Sequence, residues 1–313
     1  HNLGYQGLFP PAAIAAVGIP ARLFTPDGVE YWGQFSFLKT GLVYADMLTT
    51  VSPTYAKEIQ TPKYGAGLDG LLRVRKNALH GILNGVDYGR WDPSSDPAIP
   101  AHYTSADLSG KQICKRDLLL EMGLPEEAMK RPLLGIVSRF AGQKGFDLIA
   151  EIAGDLFEDD VSLVALGNGE ARYEEFFAVL QAAFPGKVAL RIGYDDALAH
   201  RIEAGADIFL MPSLYEPCGL NQIYSLRYGT VPVVRATGGL DDTIDASTGF
   251  KFADYNGDAL LLAIRAACAA WDERPSWRAM MVRGMQKNFS WSVSAREYSR
   301  LYGELHPLDV AGI

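Results

Sequence analysis

The stretch IFLMPSLYEPCGLNQIYSLRYGTVPVVRATGGLDDT, residues 208–243, decides the fold. Its opening run, Ile208–Met211, is apolar at every position and of strand length, and so is 231–234. Uninterrupted apolar runs mark strands buried on both faces, and the amphipathic stretch 219–228 between them reads as the crossover helix of a βαβ unit. Tyr215-Glu216-Pro217-Cys218-Gly219-Leu220 then falls at the carboxyl end of one strand. Thr237-Gly238-Gly239-Leu240-Asp241-Asp242-Thr243 falls at the carboxyl end of the next. In an open α/β sheet, ligands bind there.

The same alternation extends upstream to Arg131. Strands are expected over Leu133–Val137, 161–166 and Val188–Ile192, with helices over 145–153 and 172–183. A further helix, capped by Asp195 or Asp196, is expected to run through Glu203. Trp91-Asp92-Pro93-Ser94-Ser95-Asp96-Pro97-Ala98-Ile99-Pro100, rich in Pro, Ser and Asp, reads as a connector between lobes. The aromatic- and glycine-rich residues before it fit the remainder of another α/β domain. A polar-faced helix over 293–301 is expected to dock back on that first lobe. The chain therefore divides, as expected from sequence, into a domain remainder over 1–84, a connector over 85–110, a second domain over 111–286 and a returning terminal helix over 287–313.

At 313 residues, 48% of them hydrophobic, the chain can bury a sizeable core in two domains. A net charge of -8 argues against nucleic acid or an anionic membrane as partner. Cys114, Cys218 and Cys268 lack ligand or disulfide spacing and suit a reducing cytosol. No run of about 18 apolar residues suggests a membrane span, and no signal peptide is visible. The first residue is His1 rather than Met, and His1-Asn2-Leu3-Gly4-Tyr5-Gln6-Gly7 reads as a strand end and loop inside a domain. The expectation is a chain lacking its beginning.

Ser138-Arg139-Phe140-Ala141-Gly142-Gln143-Lys144-Gly145 follows a strand and opens a helix. Arg139 offers a planar fork for phosphate oxygens and Lys144 a mobile point charge, so both can converge on one anion. In a transfer that expels a nucleoside diphosphate they would stabilise the departing charge. The alternative is a solvated basic loop. Glu216 reads as a hydrogen-bond partner for sugar hydroxyls or as a helix cap worth about 0.3–1 kcal/mol. Cys218 reads as a small packed residue rather than a nucleophile. Thr237-Gly238-Gly239 and Gly167-Asn168-Gly169 are phosphate loops or ordinary turns, and Asn84-Gly85-Val86-Asp87 is a turn first and a ligand site second. Tyr194 could stack on a base or cover the sheet edge, and a lone histidine such as His1 is more often structural. A carboxylate beside glycine-opened helix starts, where phosphate finds N–H groups, suggests a nucleotide-sugar enzyme.

As a set, His1 to Gly7, Thr50-Val51-Ser52-Pro53-Thr54-Tyr55, Leu83-Asn84-Gly85-Val86-Asp87, Ser138 to Gly145, Tyr215 to Leu220 and Thr237 to Leu240 closely resemble the bacterial glycogen synthases and plant starch synthases. The likeness runs in order from His1 to about Tyr302. It implies two Rossmann-like domains facing across a cleft, the GT-B arrangement. It also implies transfer of glucose, with retention, from ADP-glucose to the non-reducing end of an α-1,4-glucan without a metal or other cofactor. By motif, Arg139 and Lys144 match the pair gripping the donor diphosphate, and Glu216 the essential acid beside the donor glucose. Gly142, Cys218, Gly219, Leu220 and Thr237 line the donor pocket, and the amides of Gly238 and Gly239 bind the distal phosphate or glucose hydroxyls. His1 matches the cleft histidine, with Asn84 across from it, and Tyr194 faces adenine.

Two departures accompany the resemblance. Tyr224 stands where many retaining transferases of this architecture carry a second Glu, a feature the glycogen synthases share. The family's Lys-x-Gly-Gly loop, which closes over the donor, does not precede His1, so the first domain is expected to be incomplete. The alternatives are a UDP-sugar-dependent transferase of the same fold, and a non-catalytic glucan- or nucleotide-binding fragment. For the latter, Tyr31, Trp32, Phe35 and Phe37 could supply stacking surfaces unless they form core. The expected partners are ADP-glucose or ADP and an α-1,4-glucan, in a bacterial cytoplasm or alternatively a plastid.

Overall fold

A computed structural model describes residues 1–305. Contacts divide them into two units, 1–83 and the chain from Asn84 onward. In the first, β1 (Leu8–Phe9), β2 (Glu30–Tyr31) and β3 (Gln34–Ser36) form an antiparallel sheet in the order β1-β3-β2. A parallel pair, β4 (Leu48–Thr50) and β5 (Leu79–Gly81), lies apart from it in the sheet order. The helices are α1 (Ala13–Ala16), α2 (Phe37–Tyr44), α3 (Pro53–Glu58) and α4 (Asp69–Val74). Ser36 and Ser52 start α2 and α3 by accepting from the amides of Lys39 and Tyr55. Of the four aromatic residues considered for stacking, Phe35 is core while Trp32 is 82% exposed.

The second unit opens with α5 (Ser109–Glu121), then alternates β6 (Leu133–Val137), α6 (Phe146–Glu158), β7 (Ser162–Gly167), α7 (Ala171–Ala183), β8 (Val188–Ile192) and α8 (Asp196–Gly205). It continues through β9 (Ile208–Met211), α9 (Asn221–Arg227), β10 (Val231–Arg235), α10 (Gly238–Thr243) and β11 (Phe250–Phe252). The helices α11 (Gly257–Asp272), α12 (Arg274–Met285) and α13 (Trp291–Leu305) complete it, and 306–313 of the expected terminal segment lie outside the described residues. The six strands are parallel in the order β11-β10-β9-β6-β7-β8. The chain begins at the centre, winds outward to β8, then returns to lay β9 on the other flank of β6. That reversal makes the β6–β9 boundary a topological switch point, where loops diverge and leave a crevice.

Period-two geometry explains why these runs are apolar throughout. Leu134, Ile136, Leu163, Ala165, Leu210 and Val233 join one core with Phe146, Phe177 and Ile264 from α6, α7 and α11. Their neighbours Leu133, Val164, Leu166, Phe209, Met211 and Val234 join the opposite core with Leu118, Ile202 and Leu226 from α5, α8 and α9. A buried ion pair sets the strand register at the amino end. Lys115 Nζ lies 2.6 Å from Asp207 Oδ2, which also accepts from the amide of Leu133 at 2.9 Å.

The 85–110 segment, read from sequence as a connector, is packed into the second unit. The Trp91 ring stacks between His200, with ring centroids 3.7 Å apart, and Tyr224, 4.0 Å away. Asp96 accepts from His200 Nδ1 at 2.7 Å and from the Tyr228 hydroxyl. Helix α9 starts two residues later than expected, because Gly219 takes a left-handed turn at φ +68°.

Beneath α9, Glu203 is fully buried and accepts from Ser225 Oγ at 2.6 Å. Burial pushes its carboxyl up to about 8 from an ordinary 4.5. Between those values the folded chain holds a proton that the unfolded chain has released, so this residue's contribution to stability falls as pH rises from 4.5 to 8. Glu203→Gln is expected to remove that slope and to raise stability at pH 7 by on the order of 2 kcal/mol, read by denaturant unfolding at a series of pH values.

Candidate functional site

The candidate site is built at the switch point from loops that leave β6, β7, β9 and β10. Phe140, fully buried, anchors the β6 loop: its amide donates to Asn168 O at 2.8 Å and its carbonyl accepts from Glu170 N at 2.7 Å. The chain then makes one short turn over Gly142–Lys144 and reaches Gly145 at φ +74°. A Cβ at Gly145 would lie 2.0 Å from Pro212 O, so only glycine lets the β6 and β9 loops approach this closely.

That approach delivers Lys144 to Glu216. Nζ sits 2.6 Å from Glu216 Oε2, and Ser213 Oγ donates to the same oxygen at 3.0 Å. Glu216 is only 6% exposed. The alternative role as a helix cap fails, since Leu220 occupies the N-cap position of α9. The two loops are tied further by Leu214 N donating to Gln143 O at 2.9 Å and Gln143 Nε2 donating to Tyr215 O at 3.0 Å. Asn221 Nδ2 donates to Val137 O at 2.6 Å.

Arg235, at the end of β10, was not singled out from sequence. Its buried guanidinium donates to the carbonyls of Ser213 and Leu214, so it holds the segment leading into Glu216 from behind. An arginine at the end of an apolar strand carries no local sign of this role, because its partners lie more than 20 residues away.

The glycine pair joins two of these loops. Gly238 adopts φ +45°, and a Cβ there would meet Glu216 O at 1.9 Å. The amide of Gly239 donates to the carbonyls of Glu216 and Pro217, both at 3.1 Å. This donor fastens the β9 loop to the β10 loop. Thr237 is the buried N-cap of α10. Cys218 is buried, which pushes its thiol up to about 11, and the thiol meets the backbone of Asn84. A thiol so placed packs and is not a nucleophile.

Lys144, Glu216, Cys218, Gly219, Leu220, Thr237, Gly238 and Asn84 thus come together, with Arg139 and Gly142 on the loop that carries Lys144. Arg139 is exposed. Tyr194 follows β8, at the far edge of the sheet, and is 86% exposed, so it does not cover that edge. His1 is an exposed residue of the first unit. Chemically, the site offers a cation beside a carboxylate whose Oε1 takes no part in the bonds to Lys144 and Ser213. An anionic group can approach Lys144 while that oxygen accepts from a hydroxyl. Among the described residues no cluster of three or more His, Cys, Asp or Glu side chains is arranged to hold a metal ion.

Two family descriptions match the chain: "Starch synthase catalytic domain" over residues 1–74 and "Glycosyl transferases group 1" over 124–279. A curated glycogen synthase of Anaeromyxobacter sp. (strain Fw109-5) is 54% identical over 97% of the chain, and one of Myxococcus xanthus is 52% identical over 97%. The chain spans 65% and 64% of the lengths of these two relatives. The solved catalytic domain of Starch Synthase IV from Arabidopsis thaliana, bound to ADP and acarbose, superposes with a TM-score of 0.91. It is 32% identical, over 97% of this chain and 65% of that one. The fold is accordingly an α/β fold of the GT-B glycosyltransferase type.

Gly238→Ala is expected to lower stability by about 1–3 kcal/mol, because it adds left-handed strain and a backbone clash under Glu216. Gly154→Ala, in the exposed middle of α6 with nothing within 4 Å of a Cβ, is expected to be neutral or stabilising by up to about 1 kcal/mol. Thermal unfolding of the two variants checks the opposite signs.

Proposed function

The chain belongs to the glycogen synthase and starch synthase family, and on that footing we propose that it is a retaining glucosyltransferase. In this reading it moves glucose from ADP-glucose to the non-reducing end of an α-1,4-glucan. The observation that carries the proposal is the Lys144–Glu216 pair at the switch point of the second unit's sheet. Lys144 and Arg139 take the donor diphosphate, and Glu216 holds a hydroxyl of the glucose it carries. Cys218, Gly219, Leu220, Thr237, Gly238 and Asn84 shape the pocket around that sugar, and Gly142 lies under the phosphates. Tyr194 stacks on adenine and His1 contacts the donor glucose.

Transfer with retention and no covalent intermediate needs the leaving phosphate to stay on the face that the acceptor attacks. Catalysis then rests on positioning and on stabilising the charge that develops on the phosphate. Two cations on one loop, Lys144 held by Glu216 and Arg139 exposed, suit that demand. ADP bound to the Arabidopsis relative supports the choice of nucleotide. The domain division of the proposal is an acceptor-side remainder over 1–84, a connector over 85–110, a nucleotide-sugar domain over 111–286 and a terminal helix over 287–313. The bacterial relatives favour action in a bacterial cytoplasm.

Calorimetric titration tests this reading. ADP is expected to bind and to outcompete UDP. Arg139→Ala and Lys144→Ala should each weaken ADP by about tenfold or more, the scale of a hydrogen bond to a charged group. In a glucose-transfer assay with ADP-glucose and glycogen, Glu216→Gln should cost about 100-fold or more. Its ADP binding should not weaken, since a hydrogen bond to the sugar is absent in ADP and one negative charge beside Lys144 is removed. Unchanged ADP affinity in both cation variants would remove the phosphate assignment, and tighter UDP than ADP would move the donor to a UDP-sugar.

A further inference from the structure

The β7 loop places a carboxylate on the anion-binding loop itself. Phe140 and Gly169 form a parallel bridge, and a Cβ on Gly169 would lie 2.3 Å from Phe140 O, so the β6 and β7 loops meet backbone to backbone. This fixes Glu170 beside the turn that carries Lys144. Glu170 Oε1 accepts from the Gly142 amide at 2.9 Å. Oε2 accepts from Arg172 Nε at 2.9 Å, with Arg172 Nη2 at 2.7 Å. The Arg172 guanidinium lies over the Tyr173 ring, 4.5 Å from its centroid.

Glu170 stands at the N-cap of α7, yet its side chain makes no capping bond to its own helix and turns to the neighbouring loop instead. The Gly142 amide, then Arg172 and the charge of Arg139 hold its carboxyl below the usual range, so it is an anion at neutral pH. A backbone amide and guanidinium groups are the partners that a phosphate oxygen seeks.

We propose that Glu170 is a built-in counter-anion of the donor site. It occupies the Gly142 amide when no nucleotide is bound, competes with the diphosphate for the Arg139–Lys144 loop, and thereby sets how tightly that diphosphate is held and how readily it leaves. The proposal rests on the diphosphate reading of this loop. Glu170 is a positioning residue here: it acts through the loop and takes no part in bond making. Its partners come from the β6 loop and from its own helix, so the short run Gly167-Asn168-Gly169 carries no sign of this role.

The test is calorimetric titration of the unaltered chain, Glu170→Gln and Glu170→Ala with ADP and, separately, with adenosine. Glutamine keeps an oxygen for the Gly142 amide and removes only the charge. Glu170→Gln is expected to bind ADP about threefold to tenfold tighter, the scale of removing one like charge near a solvated anion, while adenosine affinity stays the same. Glu170→Ala should also bind ADP at least as tightly as the unaltered chain. Unchanged or weaker ADP binding by Glu170→Gln would overturn the proposal and leave the phosphate reading standing. So would a loss confined to Glu170→Ala, which would make the carboxylate a brace. Failure of the unaltered chain to bind ADP would remove the phosphate reading, and this proposal with it. Thermal unfolding of each variant, expected to match the unaltered chain, separates these outcomes from misfolding.

Discussion

The contact between Lys144 and Glu216 is possible only because the sheet reverses its winding at β6. Residues 72 positions apart are brought to 2.6 Å when β9 pairs with β6 rather than with β8. The pair lies at the carboxyl end of a sheet covered by apolar side chains on both faces, so its energy depends on geometry as well as on charge. A carboxylate that is 6% exposed needs a partner close by, because leaving it unpaired costs far more than the pair returns in water. The ties around it are therefore short and backbone-based: Gly145 against Pro212, Gly238 against Glu216, and Gly239 donating to two carbonyls. Each needs a residue without a Cβ, which explains why glycine recurs in both loops.

The same geometry resolves a tension in the chemistry. The lysine and the glutamate, to which the proposal gives the departing phosphate and the sugar, are here one hydrogen-bonded unit, with Ser213 sharing the carboxylate oxygen. Such a unit is preorganised, because its shape is fixed before any substrate arrives. Arg235 supports it from behind, and Glu170 meets the β6 loop from the β7 side. The β9 and β6 loops that carry the pair are thus each held by a charged side chain from a neighbouring strand's loop or end.

Much of this was legible in the chain. Strands of uninterrupted apolar residues announced a doubly covered parallel sheet, and Leu133–Val137, Val188–Ile192 and Ile208–Met211 fall where the pattern placed them. The motif at 215–220 pointed to the site, because a carboxylate between apolar strand and glycine is informative locally. What could not be read depends on contacts distant in sequence. Arg235 is buried by partners 21 and 22 residues away, and the Trp91 stack uses rings 109 and 133 positions on. Glu170 was missed because its side chain leaves its own helix for the Gly142 amide. The loop-to-loop bonds of Gly239 were hidden for a related reason: a glycine pair before a helix looks the same whether its amides face a phosphate or a neighbouring carbonyl.

The most direct measurement is a crystal structure of the chain grown with ADP. The expected result is a diphosphate whose oxygens lie within hydrogen-bonding distance of Lys144 Nζ and the Arg139 guanidinium, with Glu216 beside the terminal phosphate and the β6–β9 ties intact. Diphosphate bound away from these side chains, with the Lys144–Glu216 pair unchanged and no phosphate near it, would contradict the assignment of the donor site.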